Sequence, residues 1–130
     1  MNGAAANLNQ SGIVLSTGSD GNVIGGTTAA TRNVISGNNH YGVEFQFGSQ
    51  NNRLEGNYIG TTASGLVALG NLNGGASFWN AGSGNVAGGS AAGAGNVISG
   101  NGGVGVLVGN ASVGVVIQGN LVGLALDGNT

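Results

Sequence analysis

The chain has 130 residues, 30 of them Gly, no Pro and no Cys, and only two basic against four acidic side chains, for a formal net charge of −2. Two arginines cannot supply the cation cluster that holds a phosphate backbone, which excludes nucleic-acid binding, and a polybasic membrane-surface face fails on the same ground. No apolar run is as long as a membrane-spanning helix, so direct membrane insertion is not expected, and the lack of Cys removes disulfides and thiolate metal sites.

The N-terminal MNGAAANLNQSG has neither a basic start nor a compact apolar segment and is not a signal peptide. Residues 1–11 read as the end of a preceding turn, with Met1 in the register of Ser64 and Asp127. From there, short apolar strands alternate with Gly- and Asn-rich turns. GIVLS (12–16) is a strand introduced by Gly, and GNVIGG (21–26) and RNVISGN (32–38) are short strands that run into tight turns. GVEFQF (42–47) has a period of two, which sets Val43, Phe45 and Phe47 on one side and Glu44 and Gln46 on the other. NRLEGN (52–57), GNYIG (56–60), GASFW (75–79), GVLVG (105–109) and VVIQGN (115–120) continue the pattern. A helix needs apolar positions at a 3.6-residue period over about ten residues. No segment offers that, and Ala is confined to turn segments such as TTAAT and SAAGAG.

The strands recur in a fixed order. GNVIGGTTAATRNVISGN (21–38) returns as GNVAGGSAAGAGNVISGN (84–101), and GNYIG (56–60) returns as GNLVG (119–123), both offset by 63 residues without a gap. Self-similarity of this kind marks a solenoid. A strand of three to five residues cannot bury a face alone, whereas coils stacked about 4.8 Å apart pair each strand with its copies above and below. Three strands-and-turns per 63-residue unit give six coils of roughly 21 residues: 12–32, 33–51, 52–74, 75–95, 96–114 and 115–130. The expectation is thus a single all-β domain, 1–130, of two super-repeats of three coils each. Val23, Val34, Ile35, Val86, Val97 and Ile98 are assigned to its interior. The recurring Asn22/Asn85, Asn33/Asn96, Asn38/Asn101 and Asn57/Asn120 suit turn positions, where amides bond from coil to coil as a ladder. Irregular stacking is expected at Gly74–Asn80, where GGASFWN departs from the repeat, and at 124–127, where LALD replaces TTAS.

The succession GNVIGGTTAATRNVISGNNHYGVEFQF…GNYIGTTASGLVALGN resembles the right-handed parallel β-helix repeats of large bacterial surface and secreted proteins. The resemblance covers nearly the whole chain. It implies a right-handed parallel β-helix and the role of a rod or stalk segment, adhesin-like, at the cell surface or outside the cell within a longer parent. The same coil also carries polysaccharide-binding and polysaccharide-cleaving proteins, so carbohydrate is the alternative partner. A third reading is an excised or engineered solenoid fragment without a function of its own.

Chemistry-bearing residues are few. Glu44 and Glu55 are the candidate carboxylate pair of a glycoside-cleaving site, with Arg53 and His40 beside them and Arg32 less securely placed. Surface ion pairing is the plainer account of the same residues, and the balance is against catalysis. In the second super-repeat Arg32, His40, Glu44, Arg53 and Glu55 become Gly95, Gly103, Leu107, Val116 and Gln118, so no array of sites exists. Tyr41 and Trp79 are the candidate ligand-facing aromatics, Trp79 because neighbouring Phe78 points the other way. Thr27, Thr28, Thr31, Thr61 and Thr62 do not repeat across coils as an ice-binding face requires. No cofactor is expected, and one His without Cys provides no metal site. Unblunted strand edges at the solenoid ends imply self-association.

Overall fold

A computed structural model describes residues 9–129, so the reading of residues 1–8 as a preceding turn lies outside the described residues. The chain is an all-β parallel solenoid of about four coils, each contributing three short strands. The first coil holds β1 (Ile13–Leu15), β2 (Val23–Gly25) and β3 (Val34–Ile35), and the second β4 (Tyr41–Gln46), β5 (Arg53–Glu55) and β6 (Tyr58–Ile59). The third holds β7 (Gly74–Trp79), β8 (Val86–Gly88) and β9 (Val97–Ile98), and the fourth β10 (Val104–Gly109), β11 (Val116–Gln118) and β12 (Leu121–Val122). Like strands stack into three parallel four-stranded sheets: β1-β4-β7-β10, β2-β5-β8-β11 and β3-β6-β9-β12.

This corrects the expected six coils of 21 residues. Equivalent positions on the first two sheets are 30 or 33 residues apart, as between Asn22 and Asn52 and between Asn52 and Asn85. On the third sheet they alternate between 24 and 39, as between Asn33 and Asn57 and between Asn57 and Asn96. The 63-residue unit is therefore two coils, not three. Its coils are of two kinds. The first and third carry long connections before the third strand, at 26–33 and 89–96, where the second and fourth have only Gly-Asn, at 56–57 and 119–120. The second instead carries a long excursion at 60–73, closed by an antiparallel bridge between Thr61 and Ala68. Each strand-and-turn motif resembles a coil in sequence, yet three strands are needed to go once around.

The core runs along the axis in columns. Leu15, Phe45 and Phe78 come from the first sheet, Ile24, Leu54 and Ala87 from the second, and Ile35, Ile59 and Ile98 from the third; all are buried. Phe45 and Phe78 stack with centroids 4.4 Å apart and planes 9° from parallel. The alternation places Val23, Val34 and Val86 outward, the first two at 58% and 45% exposure and the third half-buried in the register of Arg53, so these three are not interior residues. Phe47 also leaves its expected face, because its φ of 48° ends the strand and turns the ring out. Gly74–Trp79, expected to be irregular, is a regular strand in register with β4 and β10. Its Ala76 and Phe78 supply the inward side chains, and small Ala opposite large Phe is compatible with a closely packed interior. Residues 124–127 do lie in a turn, closed by Gly128 N–H to the Ala125 carbonyl at 2.9 Å. Glycines at the entrance to the first sheet are required by contact: a Cβ on Gly42 would meet Ile59 Cγ2 at 2.7 Å and the Gly75 carbonyl at 2.8 Å.

Three asparagine ladders hold the corners. Asn22, Asn52 and Asn85 form one, with Nδ2–H donating to the next Oδ1 at 3.0 and 3.1 Å. Asn33, Asn57, Asn96 and Asn120 form the second, at 3.0, 3.1 and 2.8 Å. Asn38, Asn71 and Asn101 form the third, at 2.7 and 2.9 Å. Every expected turn asparagine is in a ladder. Asn52 and Asn71 are rungs that the sequence reading missed.

Candidate ligand groove

The outer face of the first sheet carries a groove of about 390 Å³ lined by His40, Tyr41, Glu44, Gln46, Phe47, Ser77, Trp79 and Leu107. The strand period creates it: Glu44 pairs in register with Ser77, and Ser77 with Leu107, in one outward column. At one end the Tyr41 ring lies over Gly74, and its Cε1 would be 2.7 Å from a Cβ there. At the other end the Trp79 indole lies over Gly109, with Cζ3 and Cε3 at 2.6 and 2.7 Å from the corresponding position. Neighbouring glycines thus let both rings lie along the sheet, while Phe78 fills the core and Trp79 stays 50% exposed.

Glu44 is buried in the floor of the groove, its side chain 8% exposed. His40 Nδ1 lies 2.7 Å from Oε1, which also accepts from the Ser11 hydroxyl, and the Gln46 amide donates to Oε2. Burial pushes the carboxyl pKa up, but the hydrogen bonds from Ser11, His40 and Gln46 and the charge of His40 outweigh it and hold the group below the ordinary glutamate value. The groove therefore contains an ionised, fully partnered carboxylate. His40 also meets the Tyr41 ring edge-on at 4.9 Å.

The remaining sequence candidates lie elsewhere. Arg53 and Glu55 pair with each other on β5, in the second sheet. Glu44 and Glu55 sit on different sheets of one coil rather than on neighbouring coils of one face, so the expected carboxylate pair is not assembled. Arg32 does not stack with Arg53; its guanidinium carbon is 4.2 Å from the Tyr58 ring centroid and its Nε–H donates to the Gly56 carbonyl at 3.0 Å. Of the proposed patch, His40 meets Glu44 on the first sheet while Arg53 meets Glu55 on the second, and both expected aromatics, Tyr41 and Trp79, line the same groove as His40 and Glu44. Among the described residues no group of three or more His, Cys, Asp or Glu is arranged to hold a metal ion.

Phe47 is the groove residue that sequence reading placed wrongly. Positions 47, 80 and 110 each follow an aligned strand end, and all have positive φ: 48°, 56° and 49°. Asn fills this position at 80 and 110, as its tolerance of the left-handed region favours. Phe at 47 is the exception, and its ring is 61% exposed. The signal was legible in the alignment of FQF-Gly with FWN-Ala, but only once the 33-residue register was known.

No family model, no curated protein and no solved structure matches the chain. Its class, a parallel β-solenoid, rests on the sheets and ladders themselves.

Proposed function

We propose that the chain is a structural rod segment of a bacterial surface or secreted protein, extracellular or displayed at the cell surface as part of a longer parent, and without catalytic activity of its own. The observation that carries this reading is continuity: three sheets and three ladders run in register through successive coils, so bending the stack would break hydrogen bonds on every side at once. The motif resemblance to bacterial surface repeats supports the setting. The separation of Glu44 from Glu55 supports a non-catalytic role, because glycoside cleavage commonly uses two carboxylates flanking one bond. Self-association belongs to the same reading. Among the described residues β10, β11 and β12 are edge strands of their sheets, and an edge of this kind accepts another coil, whether from the same parent or from a second copy.

The test is extension. Repeating residues 38–100 after position 100 inserts two coils in register. If the chain is a rod segment, small-angle scattering should show the maximum dimension growing by roughly 10 Å, two inter-strand spacings, at constant cross-section, with a single unfolding transition. Two bodies joined by a hinge, or a disordered insert, would reject the rod.

A further inference from the structure

We propose that the groove on the first sheet is a binding site for an extended neutral oligosaccharide, seated between the Tyr41 and Trp79 rings with Phe47 at its rim. The argument begins with what the fold does not require. In the outward column Val14, Glu44, Ser77 and Leu107 are interchangeable for stacking, since all four pair in regular register. A carboxylate there is costly to bury and is retained only with donors from His40, Ser11 and Gln46. After one super-repeat the same positions read Gly103, Val104, Leu107, Gly109 and Asn110 in place of His40, Tyr41, Glu44, Gln46 and Phe47, and the solenoid still closes. The cluster is thus an addition to the scaffold. Phe47 strengthens this point, because the repeat shows Asn serving the same left-handed position with less strain.

The ligand class follows from shape and charge. The two aromatic side chains supply apolar surface that suits the C–H face of a pyranose, while Gln46 and His40 offer hydrogen-bonding groups between them. Tyr41 lies over Gly74, and Trp79 is five residues further along the same strand, about 16 Å at the strand rise. That separation calls for several linked sugars rather than one. Arg32 and Arg53 are absent from the groove, and its imidazole, His40, is already engaged by the Glu44 carboxylate, which disfavours acidic glycans. Glu44, its oxygens already engaged, is a positioning residue that holds His40 and Gln46. This site does not depend on the rod reading.

Trp79 is the single Trp of the chain, so its fluorescence reports directly on the groove. Titration with cellohexaose, maltohexaose, laminarihexaose and chitohexaose should give a saturable change with at least one of them, and none with oligogalacturonate. Trp79→Ala, followed by calorimetry, and Tyr41→Ala should each weaken binding by about tenfold or more with the fold retained, and Arg53→Ala should not. Phe47→Asn gives the sharpest discrimination: it should raise the unfolding midpoint and yet weaken binding. No response to any of the four neutral sugars, preference for the acidic glycan, or undiminished binding by both ring variants would each overturn the proposal. Phe47→Asn binding as tightly as the wild-type chain would remove Phe47 from the site.

Discussion

Asn57 shows how much one side chain does in this fold. Its Oδ1 accepts from both the backbone N–H and the Nδ2 of Asn33, while its own Nδ2 donates to Asn96 and to the carbonyls of Ile24 and Glu55. Being fully buried, it leaves those partners with no water to turn to. Asn57→Ala should therefore cost roughly 3 kcal/mol, since each stranded buried group carries about 1–3 kcal/mol. Asn22, an exposed first rung, should cost less than about 1 kcal/mol when changed to Ala. Urea unfolding of the two variants checks the contrast, and equal midpoints would mean that the ladder is decoration. These roles were partly legible in sequence. Asn52 was not found because its motif reads Asn-Asn-Arg-Leu where its neighbours read Gly-Asn-Val-Ile and Gly-Asn-Val-Ala. The common element is a left-handed residue, at φ 70°, 55° and 75° for Gly21, Asn51 and Gly84, followed by Asn and then an inward aliphatic two places on. Asn replaces Gly because both tolerate that conformation.

At the scale of a strand, β4 joins a core-forming inner face to a charged outer one, and its stability should depend on pH. Glu44 has a folded-state pKa below its unfolded one, so its contribution is fully present above the unfolded value near 4.5 and is lost as pH falls through the lower, folded value. The groups that face it are His40 from the preceding turn, Ser11 ahead of β1, and Gln46 on β4 itself. Glu44→Gln should accordingly flatten the acid limb of a plot of melting temperature against pH, leaving wild type and variant closest in strong acid. Parallel curves would show that the carboxylate is solvated rather than held in the groove floor. The alternation within β4 was readable from the sequence, and it set Val43 and Phe45 on the face opposite Glu44 and Gln46, which is the buried face in the structure. It failed at Phe47 because period-two reasoning assumes that the strand continues, and the strand ends at Gln46.

At the scale of the whole molecule, the solenoid and its super-repeat were legible, while the number of coils was not. Sequence similarity is strongest between like coils two turns apart, since the connections at 26–33 and 89–96 match each other and not 56–57. Adjacent coils differ in where they carry their long loop, so counting motifs counted strand sides as turns. The groove was half legible for the same reason: Tyr41 and Trp79 line one groove only when β4 and β7 are neighbours, 33 residues apart in register. Among the described residues the fourth coil is an edge of the stack. In the inner coils Leu54, Ile59, Ala87 and Ile98 are fully buried, whereas their counterparts Ile117 and Val122 in the fourth coil are 45% and 44% exposed. Apolar side chains beside unpaired strand edges favour another coil above them. In sedimentation velocity over a concentration series, the 130-residue chain should form species that grow with concentration. Ile117→Lys puts a charge where a stacked coil would bury it, which costs several kcal/mol, and should hold the chain monomeric with its far-ultraviolet spectrum unchanged. A wild-type chain that stays monomeric throughout the series would show that this edge does not drive assembly, and the rod would then have to be carried by covalent continuity alone.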